Sequence, residues 1–140
     1  MILITFVLEQ REKCIARLEL LHKNLDSGMT PDRYFEMQEQ MGLEIIEEDI
    51  PPSWEDMPEV VIDAVNTFNQ LGDRAYPDIG YMGKDYTNLN HYMELYTISD
   101  KEFFLQLLNW LDSRAIEKSQ DRLKREHEKL KRKNSGPKRS

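Results

Sequence analysis

Apolar residues recur along this chain mostly at the three- and four-residue spacing of amphipathic helices. In the first segment Ile4, Leu8, Ile15, Leu18 and Leu25 follow that spacing, with Arg11 and His22 in the two gaps. Gly28 is placed to end this helix in the left-handed conformation. The run Ile2, Ile4, Thr5, Phe6 and Val7 would also suit a short strand. A lone strand needs a partner, and no second convincing one follows, so the pattern favours helix. Thr30, Pro31 and Asp32 supply a capping hydroxyl, a residue with no amide to waste, and a carboxylate for the positive helix end. They predict a short helix that runs to Met41 and stops at Gly42. Leu43 to Ile50 reads as extended, with Leu43 and Ile45 or Ile46 turned inward, until Pro51 and Pro52 break regular structure.

Ser53 with Asp56, then Pro58, predicts the start of another helix, whose stripe is Val61, Ala64, Val65, Phe68 and Leu71 and whose stop is Gly72. Residues 73 to 88 are the least helical stretch, with Pro77, Gly80 and Gly83 interleaved among Tyr76, Tyr81 and Tyr86. A loop of this length is expected to pack on itself or to bind something, which makes it the leading functional surface. A helix from about Asn88 to Thr97 places Leu89, Tyr92, Met93 and Tyr96 on adjoining faces. Ser99 and Glu102 read as the capping box of the strongest helix, with Phe104, Leu107, Leu108, Leu111 and Ala115 as its stripe and Phe103 and Trp110 on the flanks. Beyond Ile116 only Leu123 and Leu130 are apolar, while Asp121 with Arg125 and Glu128 with Arg132 support continued helix. Gly136 and Pro137 end it and leave a flexible tip. The expected fold is mainly α, a single small domain of about five helices with a long C-terminal helix projecting from the body.

Charge divides the chain. Its net −7 conceals nine basic residues against three acidic ones in 120–140, a net +6 that leaves −13 on residues 1–119. The expected organisation is therefore an acidic helical domain, 1–119, and a basic helical extension, 120–140. A lone Cys14 excludes an intramolecular disulfide framework and a cysteine-based zinc cage. With no apolar run long enough to span a bilayer and no signal-peptide pattern at Ile2 to Leu8, the chain is expected to be cytoplasmic, without membrane contact.

The search for chemistry mostly excludes it. Gly80, Gly83 and Lys84 superficially match a phosphate-binding loop, but Asp78 stands where the first glycine belongs and Asp85 where a magnesium-binding hydroxyl belongs. His22, His91 and His127 lie in three different segments, and His91 with Glu94 offers only two ligands, so no metal site is expected. Glu47, Glu48 and Asp49 lack the spaced oxygens and central glycine of a calcium loop. Cys14 falls within an amphipathic helix, no serine sits in a nucleophile elbow, and no cofactor cradle is present. The sequence is therefore read as non-enzymatic.

Two binding uses remain. Tyr76, Tyr81, Lys84 and Tyr86, with Trp54 between Ser53 and Glu55, are the expected contacts for a protein partner. Arg122, Lys124, Arg125, Lys129, Lys131, Arg132 and Lys133 form a basic extension fit for nucleic acid without strong sequence specificity, since it carries no interleaved aromatics. The same charges allow a homo-oligomer in which the extension of one copy meets the acidic body of another.

The stretch Gly80, Tyr81, Met82, Gly83, Lys84, Asp85, Tyr86, followed by a short helix and the Ser99 to Ala115 helix, resembles small accessory proteins of tailed bacteriophages. The resemblance is one of layout over roughly residues 58 to 133: acidic helical body, aromatic glycine loop, basic helical end. It implies a structural, assembly or host-takeover role rather than a metabolic one, and a location in host cytoplasm or virion. The sequence as a whole thus predicts a protein-binding subunit or adaptor of a larger assembly, with nucleic-acid binding through the basic helix as the alternative.

Overall fold

The computed structural model describes residues 2–134, with side chains from Val7 onward. The stripe position Ile4 and the tip at 135–140 lie outside the described side chains and residues. Helix α1 covers Ile2–Asp26, which settles the first segment as helix. Its buried face is narrower than the predicted stripe: Leu18 and Leu21 are buried, Cys14 and Ile15 half-buried, and Leu8 and Leu25 exposed. Gly28, at φ 76°, closes the helix as expected, with the Met29 amide donating to the Asn24 carbonyl at 2.7 Å.

Helix α2, Pro31–Met41, starts and ends where the capping residues predict. The Thr30 hydroxyl accepts from the Arg33 amide at 3.2 Å, and Gly42 is left-handed. Leu43, Ile45 and Ile46 do not turn inward; all three are exposed. The reason is that backbone, not side chains, ties this segment to α2. The Tyr34 hydroxyl accepts from the Ile46 amide at 3.2 Å, and Gln38 Nε2 donates to the Glu44 carbonyl at 2.7 Å. Single 3-10 turns follow at Glu47–Asp49 and Trp54–Asp56. Ser53 and Asp56 do pair, the Ser53 amide donating to Asp56 Oδ2 at 3.0 Å, but they close only the second 3-10 turn. Met57 precedes a proline and is extended, so no α-helix can pass through it. Helix α3, Glu59–Gln70, begins afterwards, with the Pro58 carbonyl accepting from the Val61 amide at 3.0 Å. Val61, Ala64 and Thr67 are buried along it, Val65 and Phe68 half-buried, and Leu71 is buried just past its end. Thr67 enters that apolar face by donating its hydroxyl to the Asp63 carbonyl at 2.8 Å.

Residues 73–88 are not an irregular loop. Strands β1, Asp73–Tyr76, and β2, Gly80–Lys84, form an antiparallel hairpin in which Asp73 faces Lys84, Ala75 faces Tyr81, and Tyr76 faces Gly80. Helix α4 spans Leu89–Leu95 with Met93 buried. Helix α5 runs without interruption from Lys101 to Asn134. Its cap is Asp100 rather than Ser99, because Asp100 Oδ1 takes the Phe103 amide at 3.1 Å. Phe103, Phe104, Leu107, Leu108 and Leu111 form its buried stripe, and residues 124–134 are exposed throughout. Mainly α, with five α-helices among the described residues and a long C-terminal one, is therefore the fold class. The chain divides into two compact units, Met1–Ile62 and Asp63–Ser140. That division falls inside α3, whereas the change of charge at 119/120 falls on continuous helix. No described helix is long and apolar enough to cross a membrane.

One local strain is testable. Thr97, after α4, sits at φ 51°, a left-handed position that a β-branched residue adopts at a cost, while the Ile98 amide reaches back to the Met93 carbonyl at 3.0 Å. Thr97→Gly should raise stability by about 1 kcal/mol in urea unfolding; an unchanged or lower midpoint would contradict this reading of the turn.

Candidate functional site

In the unit Asp63–Ser140 one face of α5 receives the hairpin. Asp112, Ser119 and Leu123 lie at i, i+7 and i+11, so they share a side of the helix. Asp112 is buried. Its carboxylate accepts from the Tyr81 hydroxyl at 2.5 Å, the Tyr86 hydroxyl at 2.7 Å and the Lys84 amide at 3.1 Å. Three donors from one short segment thus converge on one carboxylate, which replaces the water it loses on burial. Ser119 Oγ accepts from the Tyr81 amide at 3.3 Å.

Backbone conformation and close approach together favour glycine at two positions of the hairpin. A Cβ on Gly80, at φ 86°, would lie 2.7 Å from Leu123 Cδ1; one on Gly83, at φ 117°, would lie 3.1 Å from Asp112 Oδ2. Both positions combine a backbone conformation that side chains avoid with a neighbour already in place. The glycines that superficially suggested a phosphate loop therefore lie within β2, where they admit α5.

Lys84 is the other buried charge of this hairpin. Its ammonium pairs with Asp73 Oδ1 at 2.5 Å, donates to the Leu71 carbonyl at 3.3 Å, and stands 4.5 Å from the centre of the Phe68 ring. The pair ties the end of β2 to the start of β1, and the ring covers the cation from the side of α3. Asp85, just beyond β2, is held below the usual carboxylate range by the Thr87 hydroxyl and amide that donate to it. For both Tyr81 and Tyr86, burial first, and then the hydrogen bond and charge of Asp112, push the phenol well above its ordinary value.

The residues expected to form a binding surface consequently divide. Tyr81, Lys84 and Tyr86 are brought together, but their polar ends are engaged inside the fold. Tyr76 is 53% exposed, and on the same hairpin Ile79 and Met82 are 57% and 40% exposed. Tyr76 pairs with Gly80, and Gly80 lies on Leu123, so this exposed set adjoins the point where the basic run begins. Arg122, Lys124, Arg125, Lys129, Lys131, Arg132 and Lys133 are all exposed on the continuing helix. Trp54 belongs to the unit Met1–Ile62, where it is half-buried with His22 edge-on at 5.5 Å between ring centres.

Asp112 is the residue sequence reasoning missed. A signal existed: it follows Phe104 and Leu108 at four-residue steps, so a carboxylate stands in an apolar stripe, in a chain with a tyrosine-rich segment able to supply donors. Elsewhere, burial pushes the Cys14 thiol up, away from the thiolate form a nucleophile needs. Among the described residues no three or more His, Cys, Asp and Glu side chains gather as metal ligands. A cleft of about 510 Å³ opens beside α4 and the start of α5, lined by Asn90, Met93, Glu94, Thr97, Ile98 and Lys101. Comparison with protein-family models, with curated proteins and with solved structures found no significant match to this chain.

Asp112→Asn turns an amide donor toward donors and should lower stability by about 2–4 kcal/mol, while Tyr86→Phe should cost about 1–2 kcal/mol; equal, negligible losses in chemical unfolding would contradict the clamp. Because both phenols ionise less readily folded than unfolded, the unfolded state releases protons first as pH rises. Stability should therefore be fully present below about pH 10 and fall above it. The fall should be shallower in the Tyr81→Phe, Tyr86→Phe double variant, measured by urea unfolding at a series of alkaline pH values; an identical slope in the two proteins would sink the assignment.

Proposed function

We propose that this chain is a non-enzymatic, protein-binding subunit or adaptor of a larger assembly, working through the hairpin and the end of α5. The observation that supports it is the division of labour on the hairpin. The hydroxyls of Tyr81 and Tyr86 and the ammonium of Lys84 are engaged internally, and the large apolar side chains of the hairpin, Tyr76, Ile79 and Met82, remain outside beside an exposed basic helix. An apolar cluster bordered by charge is the composition of a contact surface: the apolar atoms supply free energy on burial and the charges supply orientation. A partner suited to it presents an apolar patch with carboxylates beside it. The resemblance in layout to accessory proteins of tailed bacteriophages makes a phage particle, or its assembly machinery in the host cytoplasm, the setting for this role.

A second reading has its own support. The unbroken exposed helix carrying Lys124, Arg125, Lys129, Lys131, Arg132 and Lys133 can lie along phosphates, giving salt-dependent nucleic-acid binding without base readout.

The experiment is affinity purification from the native source with a nuclease control. The informative variant is Tyr76→Ala with Ile79→Ser and Met82→Ser, and a truncation after Leu123, which keeps the residue packed on Gly80. Alanine at Tyr81, Lys84 or Tyr86 would disturb the hairpin itself. Loss of a protein partner with either variant is expected. Retention of every partner by both would overturn the proposal, and partners that vanish with nuclease would transfer support to the second reading.

A further inference from the structure

In the unit Met1–Ile62, helix α2 buries none of its side chains. The segment after it is equally open: Met41, Leu43, Ile45 and Ile46 are each more than half exposed, at 57%, 56%, 56% and 52%, and Phe35 and Met37 on α2 are also exposed. This surface is nevertheless held in shape. The Leu43 amide donates to the Gln38 carbonyl at 2.9 Å, Gln38 reaches the Glu44 carbonyl, and the Tyr34 hydroxyl bridges the amide and carbonyl of Ile46. Four backbone groups of the segment are thus bonded to α2, while the apolar side chains are left in water. A fixed arrangement of this kind costs a partner little ordering on binding.

The charge around it specifies the occupant. From Tyr34 to Asp49 there are six carboxylates, Glu36, Glu39, Glu44, Glu47, Glu48 and Asp49, and no basic residue. The complement is present in the same chain. Residues 122–133 of α5 carry seven basic side chains against Glu126 and Glu128, with Leu130 56% exposed among them. We propose that the basic end of α5 in one copy docks on the acidic apolar face formed by α2 and Leu43–Ile46 of a second copy. Every chain carries both halves of the contact, so a two-fold pair forms it twice, and Leu130 gives the helix an apolar side chain to bury among Met41, Leu43 and Ile45. Opposite charge steers the encounter and fixes which face is used. This inference rests on the binding role proposed for the end of α5 and gives that role a partner.

Sedimentation of the full chain tests it. At low ionic strength the protein should associate as a dimer, and high salt should weaken the dimer. Glu44→Lys with Glu47→Lys and Glu48→Lys, or separately Lys129→Glu with Arg132→Glu and Lys133→Glu, should each weaken self-association about tenfold or more. Mixing the two variants should restore part of the association, since the unaltered basic helix of the first then meets the unaltered acidic face of the second. These positions are exposed, and an unchanged circular dichroism spectrum would confirm that each variant folds. A monomer at every concentration in low salt, or a dimer indifferent to both reversals, would overturn the inference. A monomer that still loses its purified partners on truncation after Leu123 would overturn self-docking alone and leave the binding role standing.

Discussion

A carboxylate taken out of water costs several kcal/mol unless donors replace the hydration it loses, and in α5 that requirement falls on Asp112. Meeting it organises the rest of the unit around it. Two phenols and one amide arrive from residues 81–86, the second strand of the hairpin and the two residues beyond it. The hairpin then lies against side chains of the helix, where a Cβ at Gly80 or Gly83, both at positive φ, would be strained and would crowd Leu123 or Asp112. Lys84, carried inward by the same strand, needs its own compensation and finds it in Asp73, the Leu71 carbonyl and the Phe68 ring. The outcome is a polar junction beside an apolar stripe, with its donors and acceptors paired across α3, the hairpin and α5.

This junction explains which tyrosines face outward. In a segment rich in glycine and tyrosine, composition alone makes every ring an equal contact residue. Asp112 breaks that equality by claiming the hydroxyls of Tyr81 and Tyr86. Tyr76 pairs with Gly80 at the far end of the hairpin and is left exposed with Ile79 and Met82. The exposed apolar set is thus the remainder of a structural requirement. In the unit Met1–Ile62 a similar logic runs through Tyr34 and Gln38, whose side chains bond the Glu44 carbonyl and the Ile46 amide and carbonyl and leave Leu43, Ile45 and Ile46 in water.

The helices were legible in the sequence because their signals are local. Thr30, Pro31 and Gly42 bracket α2, and the stripe from Phe104 to Leu111 marks α5. What was not legible depended on contacts distant in sequence. The hairpin's strands are four and five residues long, and β1 is exposed at every position, so it shows no alternation to read. Its stability comes from residues 112–123, far along the chain. The inward turn expected of Leu43 and Ile45 failed because apolar character predicts burial only where something is present to cover it. The helix expected from Ser53 failed because Met57 precedes a proline. The basic run after residue 120 was legible both as charge and as a continuation of the last helix, through Asp121 with Arg125 and Glu128 with Arg132; that this same helix holds a hairpin was not.

A buried carboxylate on α5 fixes the hairpin by taking its donors. The Lys84 amide reports this most directly, since it donates to Asp112 Oδ2 at 3.1 Å within a buried site. Native-state hydrogen exchange should find it among the slowly exchanging amides of the unit Asp63–Ser140, alongside those of Leu107 and Leu108. Exchange as fast as that of the exposed Thr87 amide would contradict the account.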